Sequence, residues 1–336
     1  MLREKMLYSL RDICVIPAVV TDIKSRKECN CRRKSIECVE NYFPLIAAPM
    51  DSVVTEDNWK IYHENKISCV IPRTVPIKRR LELCKEVFCA FGLKEVDEYF
   101  VKDEAAIDAC SKYNITYHVL IDIANGQMQE EIQLGETLKF LYGRNIVLMG
   151  GNIANPFTYL LYDKAGFDFL RCSVATGAAC LTGTQTSIFY PAASLISEIS
   201  EIKRRYHSHC KIIADGGMSG YSDIIKALAL GADYVMCGRI FAQAAKNEED
   251  LGTTVVYRGM STKEAQKAMG NTELKTAEGK SMFLEQKYTL SGWIENFDSY
   301  IRSAMSYCDS RTLDEFREKS ICQVISPNSS SQINDK

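Results

Sequence analysis

The sequence predicts an α/β protein: a single (β/α)8 TIM barrel carrying a flap after its eighth strand. Three observations predict it. Eight short apolar or β-branched runs recur after residue 40, at 45–49, 67–72, 87–91, 117–123, 145–149, 167–172, 211–214 and 233–237, each bounded by Gly, Pro, Asn or Asp. Most of the intervals between them carry helical periodicity. The length of 336 residues suits one barrel of about 250 residues with additions better than two separate domains. A long doubly wound sheet is the competing architecture. It is disfavoured because no GxGxxG follows the first strand.

The elements support the alternation in turn. Leu195, Ile199 and Ile202 share one face of a helix expected over 192–206. Ile224, Ile225, Leu228 and Ala229 make the apolar face of another, with Ser222 as its expected N-cap and Gly231 as its stop. A polar, helix-breaking stretch at about 252–290 follows the eighth strand and suits a mobile flap over the barrel mouth. One domain over 1–322, flap included, is therefore expected. The polar run 323–336 is expected to be a disordered tail.

Composition excludes several classes of function. Lys plus Arg is 41 and Asp plus Glu 43, a net charge of −2, which leaves no basic footprint for nucleic acid. Hydrophobic residues are 46% and charged residues 25%, enough to build a sizeable core. No apolar run reaches the ~18 residues of a membrane span, and the first residues lack the apolar centre of a signal peptide. The 14 cysteines are dispersed, form no CxxC pair and meet only 4 histidines, so structural zinc is not expected. They read as small buried hydrophobes of a reduced, cytoplasmic protein.

In a barrel of this kind chemistry sits on the loops after the strands. Six such ends are unusual: Ala48-Pro49-Met50-Asp51-Ser52, Asp122-Ile123-Ala124-Asn125-Gly126, Gly150-Gly151-Asn152, the run 172–185, Asp215-Gly216-Gly217 and Cys237-Gly238-Arg239. Any one of them is ordinary turn chemistry. Six on one face point to a site. Gly216, Gly217 and Gly238 let backbone N–H groups approach a phosphate, while Asp215 suits ribose hydroxyls. Arg239 is either a phosphate clamp or an arginine lying over the rim. Cys180 stands among hydroxyls and glycines in the long loop 173–191, where loop N–H groups could stabilise a nucleophilic thiolate. Thr182, two residues on, could position a leaving group or a water.

Taken together, APMDS at 48–52, GGN at 150–152, the loop around Cys180, IIADGG at 212–217, KALALGADYVMCG at 226–238 and YRGM at 257–260 resemble the IMP dehydrogenase and GMP reductase family. The resemblance spans residue 5 to about 320. It implies a purine nucleotide at the strand ends, a cysteine that attacks purine C2, a nicotinamide cofactor and a homotetramer. The reductase branch is the closer of the two. Asp122-Ile123-Ala124-Asn125-Gly126 and Ala277-Glu278-Gly279-Lys280 resemble it, there is no room for the regulatory CBS modules of most dehydrogenases, and 261–290 contains no Arg for the dehydrogenase's Arg-Tyr pair. The resemblance then implies NADPH-dependent reduction of GMP to IMP and ammonia, in purine salvage. It makes Cys180 the nucleophile, with Thr182 and Glu278 handling protons. Met50, Asn152, Asp215, Gly216, Gly217, Gly238, Arg239, Tyr257, Gly259 and Met260 are expected against the nucleotide, and Asp122, Ala124, Asn125 and Gly126 on the cofactor side. The backbones of Ala175, Gly177 and Cys180 are where a monovalent cation such as K+ would bind.

The chain departs from the family pattern at the phosphate end. Ala178 stands where a serine is usual, glycines are missing from 173–177, Arg239 replaces a small residue, and Pro72-Arg73 replaces a histidine followed by a basic residue. Arg239 is expected to take over charge neutralisation unless the ligand is an altered purine nucleotide. Three alternatives remain: an IMP dehydrogenase without CBS modules, a reductase-like enzyme for another purine nucleotide, and a non-catalytic nucleotide-binding paralogue.

Overall fold

The computed structural model describes residues 4–334. Eight parallel strands close into a barrel: β1 Leu45–Ala47, β2 Ser68–Ile71, β3 Phe88–Phe91, β4 Tyr117–Ile121, β5 Ile146–Ile153, β6 Phe169–Cys172, β7 Lys211–Asp215 and β8 Tyr234–Cys237. Closure is made by β1 on β8, with Leu45 opposite Val235 and Ala47 opposite Cys237. Every expected strand is present. β5 overruns its expected end because its register against β6 shifts between Gly150 and Ile153, which carries the Gly-Gly-Asn turn into the barrel mouth.

Alternation along the strands separates two cores. Ile46, Val70, Phe88, Ala90, Leu120, Met149, Phe169, Ile213, Tyr234 and Met236 point inward and fill the barrel. Their neighbours Leu45, Cys69, Cys89, Leu148, Cys172, Ile212 and Cys237 point outward beneath the helices. Burial pushes the thiols of Cys69, Cys89, Cys172 and Cys237 up, so these stay protonated packing groups.

Helix Ala192–Tyr206 forms as expected, with Leu195 and Ile199 fully buried. Helix Tyr221–Ala229 starts one residue before Ser222, which lies inside it; the N-cap is Gly220. No side chain caps it; instead Asp223, inside the helix, reaches back to fix the approach, its carboxylate accepting the Ser219 N–H at 2.8 Å and the Ser219 hydroxyl at 2.5 Å. Asp233, at the start of β8, is fully buried and faces Lys203 at 2.6 Å, Arg317 at 3.1 Å, Arg33 at 3.6 Å and Lys211 at 3.9 Å. Burial alone would raise its pKa, but these cations hold it down to about 2.

Two additions frame the barrel. The segment after β8 folds as an antiparallel ribbon, Thr254–Arg258 on Ser281–Glu285, with a short helix Lys263–Ala268 at its far end. Near the ends of the chain, Ile13–Ile16 pairs antiparallel with Ile321–Val324, and a helix Pro327–Asn334 follows. The run expected to be a disordered tail is therefore structured as far as it is described. Its order comes from pairing with a strand some 300 residues away, which no local pattern in 323–336 announces. Residues 335–336 lie outside the described residues.

Candidate active site

The loop after β6 places Cys180 at the barrel mouth, immediately before a short helix, Thr182–Thr186, inside the expected long loop. The Cys180 thiol donates to the Thr182 hydroxyl at 3.3 Å, and that hydroxyl donates to Glu278 Oε2 at 2.7 Å. Glu278 comes from the ribbon. Its main chain is pinned there because the Leu181 N–H donates to the Glu278 carbonyl at 2.7 Å and the Lys280 N–H to the Ala179 carbonyl at 3.0 Å, like a piece of sheet. Arg258 pairs with Asp51, tying the ribbon to the loop after β1. A sulfur, a hydroxyl and a carboxylate thus stand in one hydrogen-bonded line, the arrangement needed to pass a proton to or from a group bound at the sulfur.

Beside this line lies an open cavity of about 190 Å³ lined by Thr176, Gly177, Ala178, Gly216, Gly217, Gly238, Arg239 and Tyr257. Gly216 and Gly217 have φ of +88° and +83°, a conformation that turns their peptide N–H groups without the strain an L side chain would meet. At Gly238 the reason for glycine is space: a Cβ would fall 2.8 Å from the Tyr257 hydroxyl and 2.9 Å from Met50 Sδ. Met50, Gly238 and Tyr257 are thereby brought together. Arg239 is exposed at the edge of the cavity, and Gly259 and Met260 are half-buried on the ribbon. Arg11, from the segment before the barrel, also lines the cavity. It had no signal in the sequence, lying far from every motif.

The floor of the mouth is a charged network. The Asn152 amide donates to Asp215 at 2.7 Å. Arg171 donates to Asp122 at 2.7 Å and to the Gly151 carbonyl at 2.8 Å, and its other guanidinium nitrogen lies 3.9 Å from Asp215. Burial pushes the Asp215 carboxyl up, against Arg171 and the Asn152 bond, which favour its charge. Arg171 is itself only 4% exposed. The sequence reading missed it inside the apolar run 167–172. A lone charged residue in a buried barrel strand was the available signal.

Asp122 is half-buried on Arg171, Ala124 and Asn125 are exposed, and the buried Gly126 donates its N–H to the Asn152 carbonyl at 2.8 Å. This open polar ledge, with a fixed carboxylate and an exposed amide, fits the carboxamide end of a nicotinamide. At the expected cation position the Gly177 carbonyl accepts the Cys180 N–H at 3.0 Å, which leaves its second lone pair uncommitted by that bond. Arg73, at the departure after β2, lies 3.6 Å from Glu95.

Residues 8–334 match the IMP dehydrogenase / GMP reductase domain. The chain is 27% identical to a GMP reductase of Staphylococcus carnosus over 326 residues, covering 93% of this chain and 94% of that protein. It is 28% identical to a GMP reductase of Bacillus licheniformis over 319 residues, with the same coverage. A GMP reductase of Oceanobacillus iheyensis is 27% identical over 323 residues, again at 93% and 94%. With a family match over nearly the whole chain, on a closed eight-stranded parallel barrel, this protein belongs to the IMP dehydrogenase / GMP reductase family.

Proposed function

We propose that the chain is an NADPH-dependent GMP reductase, converting GMP to IMP and ammonia through a covalent adduct at Cys180. The observation that carries this reading is the Cys180–Thr182–Glu278 line, supported by relatives that bear the name GMP reductase. GMP binds with its phosphate on the Gly216, Gly217 and Gly238 backbones and its ribose hydroxyls on Asp215, which Asn152 and Arg171 hold in place. Met50, Tyr257, Gly259 and Met260 close around the nucleotide. Cys180 passes its thiol proton through Thr182 to Glu278, and Sγ bonds to purine C2 as the C2=N3 pair moves onto N3. That pair re-forms the double bond as the C2–N bond to the amino group breaks, and the nitrogen takes the proton back along Thr182 from Glu278 and leaves as ammonia. The nicotinamide, held by Asp122, Ala124, Asn125 and Gly126, supplies hydride chemistry at C2 when bound. Cys180 leaves as a thiolate when the C2–S bond breaks, releasing IMP.

The ribbon acts as the flap: only when it is docked is Glu278 within reach of Thr182. The homologous dehydrogenase reaction must activate a water. In this chain the carboxylate on the flap is committed to Thr182, and 261–290 offers no arginine for that task. Retention of the whole line argues against a non-catalytic paralogue. One observation favours a second reading: Arg239 and Arg11 both line the phosphate-end cavity where Ala178 offers no hydroxyl, which would suit a purine nucleotide with altered charge at that end.

The test is direct. Protein, GMP and NADPH are mixed and the reduced-nicotinamide absorbance is followed. Loss of absorbance supports the reductase. A gain with IMP and NAD instead would reverse the assignment, and silence with both would move it to another purine nucleotide or to a binding role. Light scattering tests the homotetramer expected alongside.

A further inference from the structure

We infer that Glu131 is held as a neutral carboxylic acid whose proton completes a hydrogen-bond chain between the two sides of the barrel mouth, making it a positioning residue for substrate and cofactor together. Glu131 lies on the helix Gln129–Tyr142 that follows β4, and it is 0% exposed. Its Oε1 accepts the Gly151 N–H at 2.9 Å, next to Asn152 on the nucleotide side. Its Oε2 lies 2.5 Å from the Tyr162 hydroxyl, and that hydroxyl lies 2.8 Å from the carbonyl of Gly126 on the cofactor side.

Counting protons fixes the protonation state. A tyrosine hydroxyl has one hydrogen to donate. It cannot donate to both the Gly126 carbonyl and an ionised Glu131. One of the two short oxygen–oxygen contacts would then have no proton between its atoms, in a fully buried place where an unmet acceptor is costly. A proton on Glu131 resolves this. Glu131 Oε2 donates to the Tyr162 oxygen, Tyr162 donates to Gly126, and Gly151 donates to Oε1. Every group is then satisfied, and the Gly151 turn is linked to the Gly126 ledge by a continuous chain.

The surroundings agree. Burial raises the Glu131 pKa to about 7, against the Tyr162 and Gly151 hydrogen bonds and the Arg171 charge, with Asp122 adding to the rise. Those are the charged and titratable groups facing it: Tyr162 from the helix Thr158–Lys164, Arg171 from β6 and Asp122 from the loop after β4. Titration therefore falls in the neutral range. Above it the chain loses its central proton, and the two ledges are left joined only by their direct backbone contacts, such as the Gly126 N–H on the Asn152 carbonyl.

Infrared difference spectra of wild type against E131Q, recorded at pH 6 and pH 9, test the proton directly. A protonated-carboxyl C=O band that is present in wild type at pH 6, weakened at pH 9 and absent from E131Q is expected. Identical spectra in that region would overturn the inference. Because the effect on turnover rests on the reductase reading, kinetics form a second and separate arm. The KM values for GMP and NADPH should rise together by ~10-fold in Glu131→Ala, the scale of losing one buried hydrogen-bond partner. E131Q, whose amide can donate to Tyr162 while its carbonyl accepts from Gly151, should restore most of that loss and flatten the alkaline rise in KM. A rise in one KM alone, or an E131Q variant with the wild-type pH profile, would sink the positioning role. Absence of any GMP turnover would defeat the reductase reading while leaving the infrared result to stand or fall by itself.

Discussion

Glu278 and Thr182 are 96 residues apart in sequence, and their side chains meet at 2.7 Å. The contact joins a ribbon outside the barrel to the first turn of a short helix at its mouth. The hydroxyl that could deliver a proton at Cys180 is therefore connected to a carboxylate only through docking of the ribbon.

Glu278→Gln should lower kcat by ~100-fold or more, within the range for losing a general acid. GMP affinity should change little, since the carboxylate touches Thr182 and not the phosphate end. Steady-state kinetics separate the two parameters. Thr182→Ala should match it, and the double variant should cost no more than either single one, because both interrupt one path. Additive losses would show two independent roles. Cys180→Ala should abolish turnover.

Gly238→Ala should raise the KM for GMP by ~10-fold or more, while kcat falls less. A methyl there would press on the Tyr257 hydroxyl at 2.8 Å and on Met50 Sδ at 2.9 Å. Overpacking of this kind costs about 1–3 kcal/mol, here at the wall of the cavity proposed to take the nucleotide. Isothermal titration with GMP measures the loss.

Arg239→Ala should weaken GMP binding and flatten its salt dependence if the exposed guanidinium neutralises phosphate, because an exposed ionic contact is screened by salt. Unchanged affinity at low salt would show that Arg239 only lies over the rim.

Asp233 makes the barrel acid-sensitive. Its folded pKa of about 2 lies below its ordinary value of 3.8. The unfolded chain therefore binds the proton more readily, and the stabilisation is fully present above pH 4 and is lost as pH falls through about 2. Asp233→Asn should remove that part of the acid dependence. Asp233→Ala should destabilise by about 1–3 kcal/mol by leaving the buried Ile212 N–H without its acceptor and the half-buried Lys203, Arg317 and Arg33 without their counter-charge. Denaturant melts at pH 7 and pH 3 distinguish the two effects.

The barrel was legible because its strands advertise themselves locally. A run such as 87–91 is apolar, short and bounded by turn residues, and its alternation sends Phe88 and Ala90 inward. Cys180 was legible for the opposite reason, being a thiol among hydroxyls in a long loop. What stayed hidden depends on distant partners. Arg171 looks like the second charged residue, after Asp168, of an otherwise apolar run until Asp122, Asp215 and the Gly151 carbonyl gather around it. Glu131 looks like one more acidic residue on a surface helix, because its burial is decided by Tyr162 and the turn at Gly151. The run after Cys322 is polar in composition, and its order is borrowed from Ile13–Ile16.

That borrowed strand works as a clasp. The segment it holds runs back directly into the turn Leu10–Asp12, where the Ile325 N–H donates to the Asp12 carbonyl at 2.9 Å and the Ser330 hydroxyl to the Arg11 carbonyl at 2.7 Å. Arg11 in turn lines the cavity formed by Gly216, Gly217 and Gly238. The last described stretch of the chain is thus mechanically upstream of that cavity's wall. Damage to the clasp would be felt first as a cavity that loses its shape, in a barrel whose eight strands are all still in place.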